Sequence, residues 1–327
     1  MRRTVIWLLL LAMSACVFSC RKQSSPGRSG GEWTVGVVGR ADADHFWRAV
    51  HAGVIAAGRE LDVEIIYQAP ASDDDKAAQV GMVRDMIARQ VDGIVVAPLD
   101  YESLRPVIAD ARRRGIPAVL VNHPGKDGDC VSSIITDQYV AGYTAGQYLK
   151  NILGMKGKVA VLRCEEGSPA IRREEGFCKV MGTAREIEMI TSDRHSGSAV
   201  EAAGSLLSSL IGRGDPSLVG VFCPDTATSL GMLEALRDAG IAGKVKFVGF
   251  GRDEELAAAL RRGEIDGLAI QSPLSMGFMG VRTMVRHLDA RRVSPSVDIG
   301  VTLATQENMD TPTVANRLDG DLSRWFE

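Results

Sequence analysis

Residues 93–98 read G-I-V-V-A-P, and residues 115–123 read G-I-P-A-V-L-V-N-H. Each is a short, nearly continuous apolar run, which is typical of a strand that is buried on both faces. Between them, Ser103 is suited to cap a helix that leads to Arg114, and Gly115 is suited to end it. A buried strand, a helix and a second buried strand form the repeating unit of a parallel sheet that helices cover on both faces.

The same alternation extends through the rest of the chain. Further strand runs lie at 33–38, 63–67, 130–137, 159–164, 187–193, 218–225, 244–250, 267–271 and 298–304. Helical runs lie among them over 46–61, after the acidic residues 73–75, and around 171–184, 198–212, 226–239, 253–262 and 276–290. Because about five such units occur twice, we predict an α/β fold of two doubly wound, parallel-sheet lobes. Ligands of such sheets bind beyond the carboxyl ends of the strands, so the loops there should line a cleft between the lobes.

The beginning of the chain has the features of a secretory leader. Residues 1–3 are basic and residues 4–13 are apolar, and small residues precede Cys16 and Cys20 before a Ser/Gly-rich stretch. The apolar run is too short for a membrane span, which needs about 20 residues. We therefore predict a signal peptide with a lipobox-like cysteine over 1–20 and a flexible tether over 21–32. The sequence leaves open which cysteine is lipidated, and whether both are incidental to a plain signal peptide.

The charge and the motifs of the chain argue against several classes of partner and cofactor. The net charge of −3 gives no reason to expect nucleic acid as a partner. The chain lacks the glycine patterns of dinucleotide and P-loop sites, and its histidines lack metal-ligand spacing, so we predict neither a cofactor nor a metal. Four cysteines follow the leader and could pair in three ways or remain thiols: Cys130, Cys164, Cys178 and Cys223.

The loops that follow the strands carry groups suited to a hydroxyl-rich ligand. Phe46 and Trp47 are adjacent rings in an aromatic-poor chain, and rings stack on sugar faces. Their position alone favours the alternative that they form the first core turn of their helix. Other loop side chains can donate or accept hydrogen bonds, as each hydroxyl of a sugar requires; they are Asp44, Asn122, His123, Arg172, Arg173, His195, Asp225 and Gln271.

Several motifs, in order, resemble the ribose-binding-protein-like group of type I periplasmic substrate-binding proteins. They are T-V-G-V-V, H-F-W-R-A-V-H-A-G, V-D-G-I-V-V-A-P-L-D, G-I-P-A-V-L-V-N, R-R-E-E-G-F, G-V-F-C-P-D, K-V-K-F-V-G-F and G-L-A-I-Q-S-P, and they span nearly all of 33–305. The resemblance implies two lobes joined by three crossovers near Asp137, Gln271 and Ala304. The expected lobes are 33–137 plus 272–304, and 138–271 plus 305–327.

The resemblance also implies roles for single residues. Phe46 and Trp47 match the aromatic pair that sandwiches the sugar ring, and Asp44 matches a polar contact just before it. The other matches are Asn122 and His123 for an Asp-Arg pair, Arg172 or Arg173 for a second-lobe arginine, His195 for a stacking position, Asp225 for an Asn, and Gln271 for a hinge glutamine. Gly251 stands where the family usually has a sugar-binding aspartate, so either the ligand differs from ribose or the chain has drifted from transport.

The function that the resemblance implies is a lipid-anchored, monomeric receptor that captures a sugar or polyol outside the cytoplasm for an ABC permease. It would be periplasmic or on the cell surface, and it would not be an enzyme. The alternative is a sensory subunit that hands its liganded form to a histidine kinase or chemoreceptor. A gene regulator with this core would carry a helix-turn-helix where this chain has its leader, which disfavours that interpretation.

Overall fold

The structure is a computed structural model. It describes residues 33–326 except 43, 44, 127, 155, 165, 167, 169, 194–197 and 212–216. Within these residues, no helix has both the length and the apolar character needed to cross a membrane.

Twelve strands of the described chain form two six-stranded sheets. The strands are β1 (Thr34–Val38), β2 (Glu64–Gln68), β3 (Gly93–Val96), β4 (Ala118–Val121), β5 (Ser132–Ile135), β6 (Gly157–Val161), β7 (Ile187–Thr191), β8 (Leu218–Phe222), β9 (Lys246–Phe250), β10 (Gly267–Ile270), β11 (Ser296–Asp298) and β12 (Thr302–Ala304). The first sheet has the order β11-β5-β4-β3-β1-β2, and the second has β12-β10-β9-β8-β6-β7. All neighbours are parallel except β12, which is antiparallel to β10. The predicted two-lobe α/β fold is confirmed.

Helices cover both faces of each sheet. They are α1 (His45–Leu61), α2 (Lys76–Ala88), α3 (Tyr101–Arg113), α4 (Gln138–Ile152), α5 (Ile171–Met181), α6 (Ala199–Ile211), α7 (Thr226–Asp238), α8 (Glu254–Arg262), α9 (Pro273–Leu288) and α10 (Pro312–Asp319). Aspartates cap several of them, as expected for side chains that accept from the free N–H groups of a first turn. The cap of α3 is Asp100, which accepts from the Ser103 N–H, so the prediction that Ser103 itself is the cap was wrong.

Three crossings join the lobes. The first is Thr136–Asp137 between β5 and α4, and the second is Gln271–Ser272 between β10 and α9. The third lies at Ile299–Val301, earlier than the predicted position near Ala304. The run 298–304 is not one strand, because Gly300 turns the chain with a φ of +67° and β12 then joins the second sheet.

The C-terminal segment, expected to lie in the second lobe over 305–327, does so only in part. Helix α10 packs against α8, and Met309, Val314 and Leu318 are buried in the core of that lobe. A 3₁₀ helix, Ser323–Trp325, follows and lies against α1 of the first lobe. The chain therefore crosses between the lobes once more before it ends.

Candidate functional site

A cleft opens between the carboxyl ends of the two sets of parallel strands. Its volume is about 680 Å³, and both lobes and two of the crossings line it. The lining residues are Asn122, His123, Pro124, Ile135, Thr136, Asp137, Gln138, Tyr139, Ser168, Ala170, Arg172, Arg173, Asp225 and Gln271. Four further cavities of the described chain lie on one lobe each. The position of the cleft is the one that the strand topology predicts.

The structure brings six predicted site residues together in this cleft: Asn122, His123, Arg172, Arg173, Asp225 and Gln271. Asp44 and His195 lie outside the described residues, as do the two candidate lipidation sites, Cys16 and Cys20. Thr136, Gln138 and Tyr139 line the cleft but were not predicted. They directly follow strand β5. The other site residues were predicted because they follow the carboxyl ends of strands, and the same criterion would have identified these three.

The predicted aromatic pair lies outside the cleft lining. Trp47 is 7% exposed and is part of the first-lobe core, with the Arg40 guanidinium 4.8 Å from the centre of its ring. Phe46 is half-buried against the same core and meets Trp47 edge-on, with 5.1 Å between ring centres. This placement agrees with the interpretation of both rings as a first core turn. Their stacking on a ligand stays a prediction.

Among the described residues that line the cleft, Arg173 is the most buried charged group, at 9% exposed. Its Nε donates to Gln138 Oε1 at 2.6 Å, its Nη1 donates to the Pro224 carbonyl at 2.9 Å, and its Cζ lies 3.6 Å from the centre of the Phe250 ring. Burial lowers the pKa of Arg173 to about 10, so the guanidinium stays charged at neutral pH. Among the described residues, Nη2 makes no hydrogen bond, which makes it the nitrogen available to a ligand.

Arg172, the neighbouring candidate, has a different environment. Its side chain is 63% exposed and forms an ion pair with Glu175. Its guanidinium also lies 5.3 Å from the centre of the Tyr139 ring. Of the two arginines, only Arg173 is held rigidly from several sides, which fits the requirement of a preorganised binding group.

Close packing of α4 on α5 sets the positions of Arg173 and Tyr139. A Cβ on Gly142 would lie 1.9 Å from the Arg173 carbonyl oxygen, and a Cβ on Gly176 would lie 2.0 Å from the Tyr139 carbonyl oxygen. The two glycines therefore let the backbones touch, which brings the start of both helices to the same edge of the cleft.

His123 presents one hydrogen-bond donor. Its Nδ1 accepts from the Gly125 N–H at 3.0 Å, so in the neutral ring the proton is on Nε2. The imidazole stacks on Tyr101 with 4.4 Å between ring centres, and burial lowers the pKa of His123. The residue is therefore neutral at physiological pH, unlike the arginine that the family resemblance places here.

Two carboxylates of the cleft also act as helix caps. Asp225 Oδ1 accepts from the Thr228 N–H at 2.8 Å, and Asp137 Oδ1 accepts from the Val140 N–H at 3.0 Å. Their second oxygens make no hydrogen bond within the described chain. The hydroxyl of Thr136 is also buried there without a partner. Among the described residues, the lining thus combines two arginines, two aspartates and neutral polar groups, and such a balance suits an uncharged ligand with many hydroxyls.

The position of the missing family aspartate cannot hold a side chain in this backbone. Gly251 has a φ of +112°, and a Cβ there would lie 2.0 Å from Thr226 Oγ1. The second lobe therefore offers no carboxylate at the end of β9.

The four described cysteines form no disulfide with one another. Cys164 donates from its Sγ to Glu174 Oε1 at 2.9 Å, and burial is the main reason that its pKa rises to about 12. The disulfide option therefore does not occur in this structure. The described residues also hold no cluster that could bind a metal ion.

Comparison with known proteins identifies the family. Residues 35–292 match the model described as a periplasmic binding protein domain. The chain belongs to this family. This is a family of non-catalytic solute-binding proteins, and the predicted family is confirmed.

Individual relatives agree with this assignment. The chain is 27% identical to the xylitol-binding protein of Mycolicibacterium smegmatis over 82% of this chain and 76% of that protein. It is 22% identical to the ribose import binding protein of Bacillus subtilis over 93% and 98%. A solute-binding protein of an ABC transporter from Agrobacterium vitis, solved with α-D-tagatopyranose, has a TM-score of 0.69 and 27% identity over 88% of this chain and 99% of that one.

Proposed function

We propose that this protein captures an uncharged sugar or polyol in the cleft between its lobes and delivers it to an ABC importer. The observation that supports the proposal most is the position of Arg173, whose Nη2 is free within the described chain at the base of a cleft lined from both lobes. The relatives that bind xylitol, ribose and tagatose support the same class of ligand.

The arrangement indicates how a ligand would be held. A hydroxyl can accept from Arg173 Nη2 and donate to the free oxygen of Asp225, both on the second lobe. Groups of the other wall, Asn122 and His123, would complete the contacts when the lobes close. A ligand that contacts both walls binds the closed form better, so it shifts the protein towards closure.

Calorimetric titration of the purified chain tests the proposal. The panel contains xylitol, D-ribose, D-allose, D-arabinose and D-tagatose, with D-gluconate as the anionic comparison. We expect at least one neutral compound to bind and to raise the unfolding temperature, and Gln271→Ala to weaken that binding. Binding of gluconate alone, or of none of the panel, would contradict the proposal.

We also propose that a lipid on Cys16 or Cys20 holds a monomeric protein at the outer side of a bacterial membrane. The basic start, the short apolar run and the small residues before both cysteines support this. Cell fractionation should find the protein with membranes, and a variant with both cysteines changed to serine should be released into the soluble fraction. A double variant that still sediments with membranes would refute the anchor, and light scattering of the released form tests the monomer.

A further inference from the structure

The last residues of the chain are fixed to both lobes. On the second lobe, Val314 and Leu318 of α10 are buried in the core, and the Leu318 carbonyl accepts from Arg252 Nε at 2.7 Å. On the first lobe, the Trp325 carbonyl accepts from Arg59 Nη2 of α1 at 3.5 Å. Six residues, 319–324, separate these two attachment points, so the chain between them can reach at most about 25 Å when extended. Part of it is wound into the 3₁₀ helix Ser323–Trp325, which shortens that reach.

The attachment on the first lobe is built around His51. The Phe326 ring meets the His51 ring edge-on, with 5.1 Å between their centres. His51 in turn stacks on Tyr67 at 3.5 Å, and its Nδ1 lies 2.8 Å from Asp42 Oδ2. These contacts hold the imidazole in place without help from the C-terminal segment. The first lobe therefore offers a rigid surface on which Phe326 docks, although Phe326 itself remains 42% exposed.

We propose that residues 320–326 form a strap that holds the two lobes in the arrangement of this structure, in which a cleft of about 680 Å³ lies accessible between them and which we call the open arrangement. Closure rotates one lobe against the other, so it changes the distance between α10 on the second lobe and α1 on the first. When closure increases that distance, a short, partly coiled segment that is attached at both ends loses the contacts that Trp325 and Phe326 make with α1. Contacts that exist only in the open arrangement stabilise that arrangement relative to the closed one.

The few contacts between the strap and α1 should shift the equilibrium between open and closed molecules without preventing closure. One ring pair, one long hydrogen bond and the guanidinium of Arg48, 6.0 Å from the centre of the Phe326 ring, tie the strap to α1, and Phe326 remains partly exposed to solvent. Such contacts can change the ratio of open to closed molecules by a few-fold, but a ligand that bridges the cleft can overcome them. The strap thereby sets how readily the empty protein closes.

The test measures lobe separation in the ligand-free full chain, so its outcome does not depend on the proposed sugar. Spin labels are placed through a non-natural amino acid at Glu102 and Ala227, two exposed positions in the first turns of α3 and α7 at opposite sides of the cleft. Double electron–electron resonance then gives the distance distribution. The variants are a chain that ends at Gly320, Phe326→Ala and Arg59→Ala. Arg324→Ala serves as the matched control, because this exposed side chain contacts the Trp325 ring of its own segment.

We expect the fraction of molecules with a short inter-lobe distance to rise at least twofold in the truncated chain and in Phe326→Ala. Arg59→Ala should show a smaller rise, and Arg324→Ala should match the unmodified chain. Circular dichroism confirms that each variant keeps its fold. Distributions that superimpose for all variants, or that move to longer distances, would overturn the proposal.

Discussion

Replacing Gly251 with aspartate would put back the carboxylate that the family resemblance places at the end of β9. We expect the change to destabilise the second lobe and not to restore a ligand contact. The backbone there has a φ of +112°, which side chains with a Cβ rarely adopt. The new Cβ would also lie 2.0 Å from Thr226 Oγ1 and 2.9 Å from Thr226 Cβ.

The expected loss of stability is the sum of two costs, the backbone strain and the clash with Thr226. A non-glycine residue in such a backbone conformation costs about 1–3 kcal/mol. Overpacking a site without free space costs about 1–3 kcal/mol more. Thr226 cannot move away easily, because it is the first residue of α7 and follows Asp225, whose side chain closes the capping box of that helix. We therefore expect the free energy of unfolding to fall by about 2–6 kcal/mol in Gly251→Asp.

Urea denaturation followed by circular dichroism measures the loss, with variants that separate the two terms. Gly240→Ala is the control for backbone strain alone, because Gly240 has a φ of +67° and nothing within 4 Å of a Cβ; its expected cost is about 1–2 kcal/mol. Gly251→Ala should cost clearly more, and adding Thr226→Ala should recover part of the difference. The reasoning is refuted if Gly251→Ala is no worse than Gly240→Ala, or if Gly251→Asp folds normally and gains affinity for D-ribose.

Three further predictions concern single side chains. Arg173→Lys should weaken binding of the best neutral ligand at least tenfold in calorimetry, about 1.4 kcal/mol, because lysine lacks the forked donors of the guanidinium; Arg172→Lys, at the exposed position, should change it less than threefold, and equal effects would contradict the assignment. Trp47→Ala should lower the free energy of unfolding by about 3–5 kcal/mol in urea, as for a core ring; an unchanged midpoint would mean that the ring is not part of the core. His123 should make the protein less stable in acid. Burial lowers the pKa of His123, so near neutral pH the unfolded chain binds more protons than the folded one. The stability that the neutral imidazole contributes is therefore lost as the pH falls below about 6.5, the ordinary value for histidine, and through the lower pKa of the folded state. The urea midpoint should therefore fall less for His123→Gln than for the unmodified chain between pH 7.5 and 5, and parallel curves would disprove it.

The parallel strands could be predicted from sequence because burial on both faces makes them continuous apolar runs. The same apolar pattern predicted a single strand over 298–304, but the structure has the end of β11 and then β12, which belong to different sheets. The sequence could not show this boundary, because it becomes apparent only from the strands with which each segment pairs. Helix α4 was not predicted. Its Gly142 and Gly146 are poor helix formers, and they are explained only by the close approach of α5. Neither α10 nor the 3₁₀ helix was predicted, and the way in which the chain returns to α1 depends on tertiary contacts alone.

The loops of the site could be predicted because parallel strands place their carboxyl ends at one edge. The burial and orientation of each side chain could not be predicted from the sequence. Arg172 and Arg173 are adjacent in sequence, and the phase of α5 decides that one faces the interior and the other faces solvent. Likewise, the sequence of the pair Phe46-Trp47 does not distinguish rings that stack on a ligand from rings that pack in the core. Only the packing of α1 in the structure places Trp47 in the core.

Affinity in this protein should depend on two separable quantities. The first is the set of contacts at the base of the cleft, where Arg173 and Asp225 are each fixed by hydrogen bonds within the second lobe. These groups are preorganised, so they lose little freedom when a ligand arrives. The second is the fraction of molecules that can close, because the observed affinity is the intrinsic one reduced by that fraction. The strap acts on the second quantity and does not touch the first, since its contacts lie on α1 and α10 and not in the cleft lining. A change in the C-terminal segment should therefore alter affinity by the same factor for every ligand that requires closure, whereas a change in the cleft should alter the preference among ligands.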